Sequence, residues 1–320
     1  MTEPLPAPGI LDAFGCPRAP LRQLEGGVIN ANWLVEKPGG PIVVRRYTAA
    51  RSIPAIRWEQ ALIGFAAERG WPVPTPIAVQ GGSTLLEKDG RLWSASLFIE
   101  GDPGIEDSTA LRRIYGRLLA RFHRDLAGFG GEGQRPGFGK TWELDLMVEP
   151  AEAGTFNELV ARFSREYPDL GAAVRRQRYR SLRELSRLHY PDLPEHPIHG
   201  DFQPKNLLFK DGNLSGILDF DQARRDALVG DLAPLLMPFM PLDFRLSAAL
   251  LEGYESVRPL SDDEWALLPA MVRASLLWWV AFLLVRWRKE GTDPAGIART
   301  MNQRFPAFDA AEKGFRALRA

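Results

Sequence analysis

Apolar residues change their spacing along the chain, and the change divides it in two. From Leu21 to Tyr47 they come in short runs separated by glycine and proline. Leu21 to Glu25 is followed by Gly26-Gly27, and Asn32 to Glu36 by Lys37-Pro38-Gly39-Gly40. Ile42 to Tyr47 opens with β-branched residues. Runs broken at glycine in this way predict the strands of antiparallel hairpins. Residues 1 to about 20 read as a loose lead-in. Pro54 to Arg69 then carries Ile56, Leu62, Ile63, Phe65 and Ala66 at helical spacing, with Gly70 placed to end the helix. Trp71-Pro72-Val73-Pro74-Thr75-Pro76 cannot be helical, because proline lacks the donor and restricts its predecessor. It reads as an extended connector. Two more strands fit Ser83 to Glu87 and Leu92 to Ile99.

Beyond Glu100-Gly101-Asp102-Pro103-Gly104 the spacing is mostly helical. Ser108 can cap a helix carrying Leu111, Ile114, Tyr115, Leu118, Leu119 and Phe122 on one side. Further helices fit 154–168, 170–189, parts of 228–256, 262–288 and 307–318. One hairpin interrupts them. Leu207-Leu208-Phe209 and Leu214 to Leu218 flank Lys210-Asp211-Gly212-Asn213, which has Asp-Gly turn chemistry. The prediction is an α+β chain with a small antiparallel-sheet lobe over 1–100 and a larger, mainly helical lobe over 101–320, hinged near Glu100. There are no internal repeats.

Composition narrows the functional classes. The 320 residues are 45% hydrophobic, enough for one large core or two lobes. Forty basic residues balance forty acidic ones, which argues against a nucleic-acid footprint. A lone cysteine, Cys16, allows no intrachain disulfide and fits a reducing compartment. Met1 to Gly9 lacks the charged and apolar regions of a signal peptide. The nearest membrane-span candidate, Ala274 to Val285, stops at Arg286 and is too short. The expectation is a cytoplasmic protein with no membrane partner. Its oligomeric state is not legible.

The candidate chemistry lies in His199-Gly200-Asp201-Phe202-Gln203-Pro204-Lys205-Asn206, followed by Ile217-Leu218-Asp219-Phe220-Asp221. Phosphoryl transfer from Mg·ATP needs one carboxylate at the attacking hydroxyl, and an amide oxygen and a second carboxylate on the metal ions. A tight hairpin between Asn206 and Asp219 returns the chain to where it started, beside Asp201.

The segment from His199 to Ala233 resembles the catalytic core of the aminoglycoside phosphotransferase, choline kinase and type II homoserine kinase superfamily. These are small-molecule kinases with a protein-kinase-like fold. The residues carrying the likeness are the His-Gly-Asp opening, Asn206, the Asp219-Phe220-Asp221 run and Gly230-Asp231-Leu232-Ala233. The resemblance implies ATP and Mg2+ as cofactors, Asp201 as catalytic base, Asn206 and Asp219 as metal ligands, and Asp231 as a brace for the catalytic loop. Gly200 stands where protein kinases have the arginine of His-Arg-Asp, so activation-loop phosphorylation is not expected.

The same resemblance extends to the nucleotide side. Gly26-Gly27-Val28-Ile29-Asn30 is similar to the family's phosphate loop, in which glycine lets backbone amides approach phosphates closely. The strand Ile42-Val43-Val44-Arg45-Arg46-Tyr47 has two arginines and no lysine. Alternation sends them to opposite faces, so one points at the phosphates. The resemblance favours Arg45, with Glu59 on the next helix as its partner. Phe98 and Ile99 resemble the hinge that binds adenine through backbone groups. His123 and His199 read as packed structural histidines.

For the acceptor, a small molecule, the helix from Ser275 to Arg288 offers Trp278 and Trp279, whose faces can hold an ammonium or fill core, and Arg286 and Arg288, which can bind a carboxylate or face solvent. The expected activity is transfer of the γ-phosphate of ATP to a hydroxyl of a small, amine-bearing metabolite: homoserine-, choline- or aminoglycoside-like. The alternatives are a pseudokinase that only holds nucleotide and a metal-dependent phosphohydrolase.

Overall fold

Strand pairing organises the first part of the chain. In the computed structural model, which describes residues 5–24, 30–79, 81–105, 108–130, 133–144, 154–236, 243–316 and 318, the chain divides into two compact units. One comprises Met1–Gly104 with Lys205–Asp219, and the other Ile105–Pro204 with Phe220–Ala320.

The first unit holds an antiparallel sheet of β1 (Leu21–Gln23), β2 (Ala31–Val35), β3 (Ile42–Arg46), β4 (Pro76–Ile77), β5 (Leu86–Lys88) and β6 (Arg91–Leu97). β3 lies between β2 and β6, with Val44 opposite Trp33 on one side and Ala95 on the other. One sheet face packs Trp33, Val35, Ile42, Val44, Trp93 and Ala95 against Ile10, Leu11, Phe14 and Cys16. The first three of these come from or just follow a short helix, α1 (Pro8–Ala13), where the sequence suggested a loose lead-in. Its apolar residues are too few to declare a period, and burial against the sheet stabilises it. α2 (Ile53–Ala67) is capped by Ser52, buries Ile56, Leu62 and Ile63, and ends before Gly70, whose φ is 79°. The strand expected from Ser83 begins later, because the Ser83 hydroxyl accepts from Leu85 N–H at 3.0 Å and holds a local turn. The expected connector contributes β4, an edge strand where Pro76 is tolerated.

The hairpin expected after the catalytic loop is present. β9 (Leu207–Lys210) and β10 (Asn213–Ile217) are joined through Asp211 and Gly212, with φ of 51° and 76°, as a two-residue turn requires. It groups with the sheet unit rather than the helical one in which the sequence placed it. β7 (Asp102–Pro103) pairs with β9, and Ile217 N–H donates to Pro72 O at 2.8 Å. The Ser215 hydroxyl donates to the carbonyl of Glu100 at 2.8 Å.

The second unit is helical: α3 (Thr109–Leu126), α4 (Phe156–Glu166), α5 (Pro168–Arg187), α6 (Val229–Leu236), α7 (Phe244–Glu255), α8 (Asp262–Glu290), α9 (Ala295–Arg299) and α10 (Phe305–Arg316). A two-stranded ribbon, β8 (His196–Ile198) with β11 (Arg224–Asp226), accompanies them. Ser108 caps α3 as expected. α3 and α7 cross closely because each has a glycine at the contact. A Cβ on Gly116 would stand 2.0 Å from Leu250 O, and one on Gly253 2.2 Å from Arg113 O.

α8 runs further than its apolar stretch, from a Ser261–Glu264 capping box to Gly291 in the left-handed conformation. By length and composition it is long and apolar enough to cross a membrane, yet 72% of its most apolar window is buried inside the protein. Its Arg273 is fully buried and meets Glu184 at 3.0 Å, Asp309 at 2.8 Å and Glu312 at 3.2 Å, tying α8 to α5 and α10.

Candidate active site

In the helical unit, Asp201 follows β8 on a loop gripped from below. Asp231, at the start of α6, accepts from two consecutive backbone N–H groups, His199 at 2.8 Å and Gly200 at 2.6 Å. Its Oδ2 also lies 3.0 Å from His123 Nε2, and His123 Nδ1 lies 2.8 Å from the Tyr254 hydroxyl. The close α3–α7 crossing brings those two rings together. Burial alone would push the Asp231 carboxyl up, but the hydrogen bond and charge of His123 outweigh it and hold the group below the ordinary carboxylate range. Burial pushes the Tyr254 phenol up, so it stays a neutral partner. Asp231 thus braces the loop, as the resemblance implied.

Asp201 itself is half-buried. Its Oδ1 accepts from Gln203 Nε2 at 2.6 Å, and its N–H points to His199 Nδ1 at 3.3 Å. His199 is fully buried between Phe202 and Phe220, at ring distances of 5.7 Å and 4.6 Å, which suits packing and not proton traffic. Arg135 does comparable work on the segment after Asp219. Fully buried, it donates to the carbonyls of Phe220, Asp221 and Ala223 at 3.0–3.1 Å. Sequence spacing carried no signal for Arg135, which lies 85 residues from Phe220. Gln203 had one: it stands two residues from Asp201 on the same loop.

In the sheet unit, the hairpin brings Asn206 and Asp219 together. Leu218 N–H donates to Asn206 O at 2.8 Å, so the two candidate ligands flank one backbone hydrogen bond. Asn206 is buried, and Asp219 has φ of 64°, a left-handed conformation unusual for a non-glycine residue and common at functional sites. An amide oxygen and a carboxylate are hard donors. They fit a magnesium ion, which takes one or two protein oxygens and completes its octahedron with phosphates and water. Among the described residues no group of three His, Cys, Asp or Glu side chains could hold a metal unaided.

β3 separates its two arginines as alternation demands. Arg45 donates to Asn32 Oδ1 at 3.0 Å and meets Glu59 Oε1 at 3.8 Å. Arg46 turns to the other face, where its guanidinium lies 5.7 Å from the Trp33 ring and 5.9 Å from the Trp93 ring. The amide oxygen of Asn30 accepts from Thr48 N–H at 3.0 Å, pinning the start of β2 to the end of β3. Phe98 N–H donates to Pro41 O at 3.2 Å, and Ile99 packs over Gly216, where a Cβ would come within 2.8 Å of it. Gly26 and Gly27 lie outside the described residues.

Residues 20–268 match the phosphotransferase enzyme family. The chain belongs to that family. It is 32% identical over 272 residues to a homoserine kinase of Gluconobacter oxydans (strain 621H), covering 81% of this chain and 79% of the relative. The fold is shared with solved structures of lower identity. An amicoumacin kinase in complex with AMP-PNP, Ca2+ and Ami superposes with a TM-score of 0.69 at 15% identity, covering 91% of this chain and 88% of that one. A microcompartment-associated aminopropanol kinase gives 0.67 at 18% identity, covering 97% of each chain. The protein is therefore an ATP-dependent small-molecule phosphotransferase with a protein-kinase-like α+β fold.

Along α8 the aromatic residues differ in their surroundings. Trp287 meets Phe163 of α4 edge-on at 5.1 Å, a packing contact. Trp278 and Trp279 are only half-buried and stack on Phe282, at 6.1 Å and 5.4 Å. Arg286 pairs with Glu290 at 2.8 Å, one turn on, and Arg288 is exposed.

Proposed function

We propose that this phosphotransferase moves the γ-phosphoryl group of ATP to the hydroxyl of a small amino alcohol, homoserine foremost. The observation that carries the reading is Asp201: a half-buried carboxylate steered by Gln203, on a loop whose two preceding amides are clamped by Asp231. Similarity to a homoserine kinase over four-fifths of the chain supports the acceptor class.

In this reading Asp201 orients the acceptor hydroxyl and takes its proton as that oxygen bonds to the γ-phosphorus. The bond from phosphorus to the β–γ bridging oxygen breaks, and ADP departs with the electron pair. Asn206 and Asp219 would hold magnesium, which when bound would supply charge neutralisation at the phosphates. Arg45, held by Glu59 and Asn32, forks to phosphate oxygens. Gly26, Gly27 and Asn30 serve as phosphate-binding residues, and backbone groups of Phe98 and Ile99 meet adenine. Residues 1–104 with the hairpin 205–219 thus hold the nucleotide. The acceptor lies in the helical part, near the catalytic loop and the open faces of Trp278 and Trp279. A supply of ATP and a single cysteine suit the cytoplasm.

The test is ADP release with homoserine, aminopropanol, choline, an aminoglycoside, or water alone as acceptor. Homoserine should give the highest kcat/KM, with phosphohomoserine formed in step with ADP. Turnover confined to the aminoglycoside, or equal release without any acceptor, would sink this reading.

A further inference from the structure

Gly200 occupies the place where phosphorylation-regulated kinases carry an arginine, and the helical unit fills that place from elsewhere. Gly200 has φ of 79°, and a Cβ there would stand 2.2 Å from Gln222 O and 2.6 Å from Arg224 Nη1. No side chain can leave position 200. The cation beside it comes from β11, where Arg224 pairs with Ile198, two residues before Gly200.

Arg224 is nearly buried and spans three acceptors. Nη1 donates to Gln222 O at 3.0 Å, and Nη2 reaches Thr141 Oγ1 at 2.7 Å and Asp226 Oδ2 at 3.3 Å. Asp226 is fully buried. It also accepts from Thr141 N–H at 2.9 Å, the Thr141 hydroxyl at 2.7 Å, Ala227 N–H at 2.8 Å and the Tyr190 hydroxyl. The pair is not an economical way to stabilise a core. Desolvation of two charges offsets much of their attraction, and Arg224 Nε is buried without a hydrogen-bond partner among the described residues.

We propose that Arg224 is a positioning residue for the catalytic loop, with Asp226 as its permanent counter-ion. Other kinases order their loops when an added phosphate pairs with arginine. Here a fixed carboxylate two residues away supplies the anion, and Arg224 supplies the cation against Gly200 and Gln222. The loop carrying Asp201 is held in working geometry without any modification. The inference rests on the reading of Asp201 as base.

The full-length enzyme is compared with Arg224→Met, Arg224→Lys and Asp201→Asn, with turnover expressed per folded molecule. Arg224→Met should lower kcat by about tenfold to a hundredfold, the scale of small misplacements at a reacting centre. KM for ATP and for homoserine should stay close to wild type, and Arg224→Lys should recover part of kcat. Wild type treated with phosphatase should keep full turnover. If Arg224→Met folds poorly, the split between kcat and KM is read on Arg224→Lys. Wild-type kcat in the Arg224 variants with Asp201→Asn inactive overturns this inference alone. Full turnover in Asp201→Asn overturns the base assignment instead. Turnover lost on phosphatase treatment overturns the permanent counter-ion.

Discussion

Arg45 Nη1 stands 3.8 Å from Glu59 Oε1, and the Glu59 side chain is 3% exposed. The pair joins β3 to α2 on the sheet face opposite the Trp33–Trp93 cluster. Arg45→Ala should raise the ATP KM by tenfold or more, on the order of one charge-assisted phosphate contact. Glu59→Ala should act in the same direction, because its cation loses its rail. Arg46→Ala should leave the ATP KM unchanged and lower stability by about 0.5–1 kcal/mol, the scale of an accessible cation–π contact. Steady-state kinetics and urea midpoints read both. A larger kinetic loss at Arg46 would reverse the assignment.

Asp201→Asn should lower kcat by roughly 10²–10⁴-fold, the usual contribution of a general base. ATP affinity, measured by calorimetry, should change little. Asp219→Ala should instead weaken Mg·ATP binding, and unchanged Mg·ATP affinity would remove it from the metal site.

Asp231 gives the fold an acid sensitivity. Its folded-state pKa lies below the unfolded value, so its contribution to stability is full at higher pH and is lost as pH falls through the folded pKa. Asp231→Asn should therefore destabilise at neutral pH, and its gap to wild type should narrow below about pH 4, where an unfolded Asp takes up its proton. Urea midpoints from pH 7 to pH 3 check this. A gap that stays constant across that range would contradict it.

Trp278→Leu and Trp279→Leu separate pocket from core. A half-buried Trp against an ammonium should raise the acceptor KM by the equivalent of about 0.5–2 kcal/mol, with the ATP KM unchanged. Trp287→Leu should lower the melting temperature and leave both KM values alone, since Trp287 packs on Phe163. The Trp287 pattern at all three positions would leave the acceptor site elsewhere.

Gly116→Ala should destabilise by several kcal/mol, because the new methyl meets the Leu250 carbonyl at 2.0 Å and backbone cannot step aside. Thermal unfolding reads it. A melting temperature within a degree or two of wild type would mean that the α3–α7 crossing relaxes.

Local chemistry was legible in the chain. The Asp-Gly turn after Leu207-Leu208-Phe209 specified the hairpin, and the hairpin alone returns Asp219 to Asn206. Strand alternation separated Arg45 from Arg46, and the capping residue Ser108 marked the start of α3. Such features depend on neighbours within a few residues, whose conformational preferences the sequence states directly. What tertiary structure decided lies at long range. Only packing put α1 on the Trp33–Trp93 face and so left Arg45 with Glu59. Only a glycine-to-glycine helix crossing set His123 beside Tyr254, 131 residues apart, and delivered both to Asp231. Arg135, Arg224 and Asp226 carry no local pattern, because a buried charge is accepted only where distant groups already supply its hydrogen bonds.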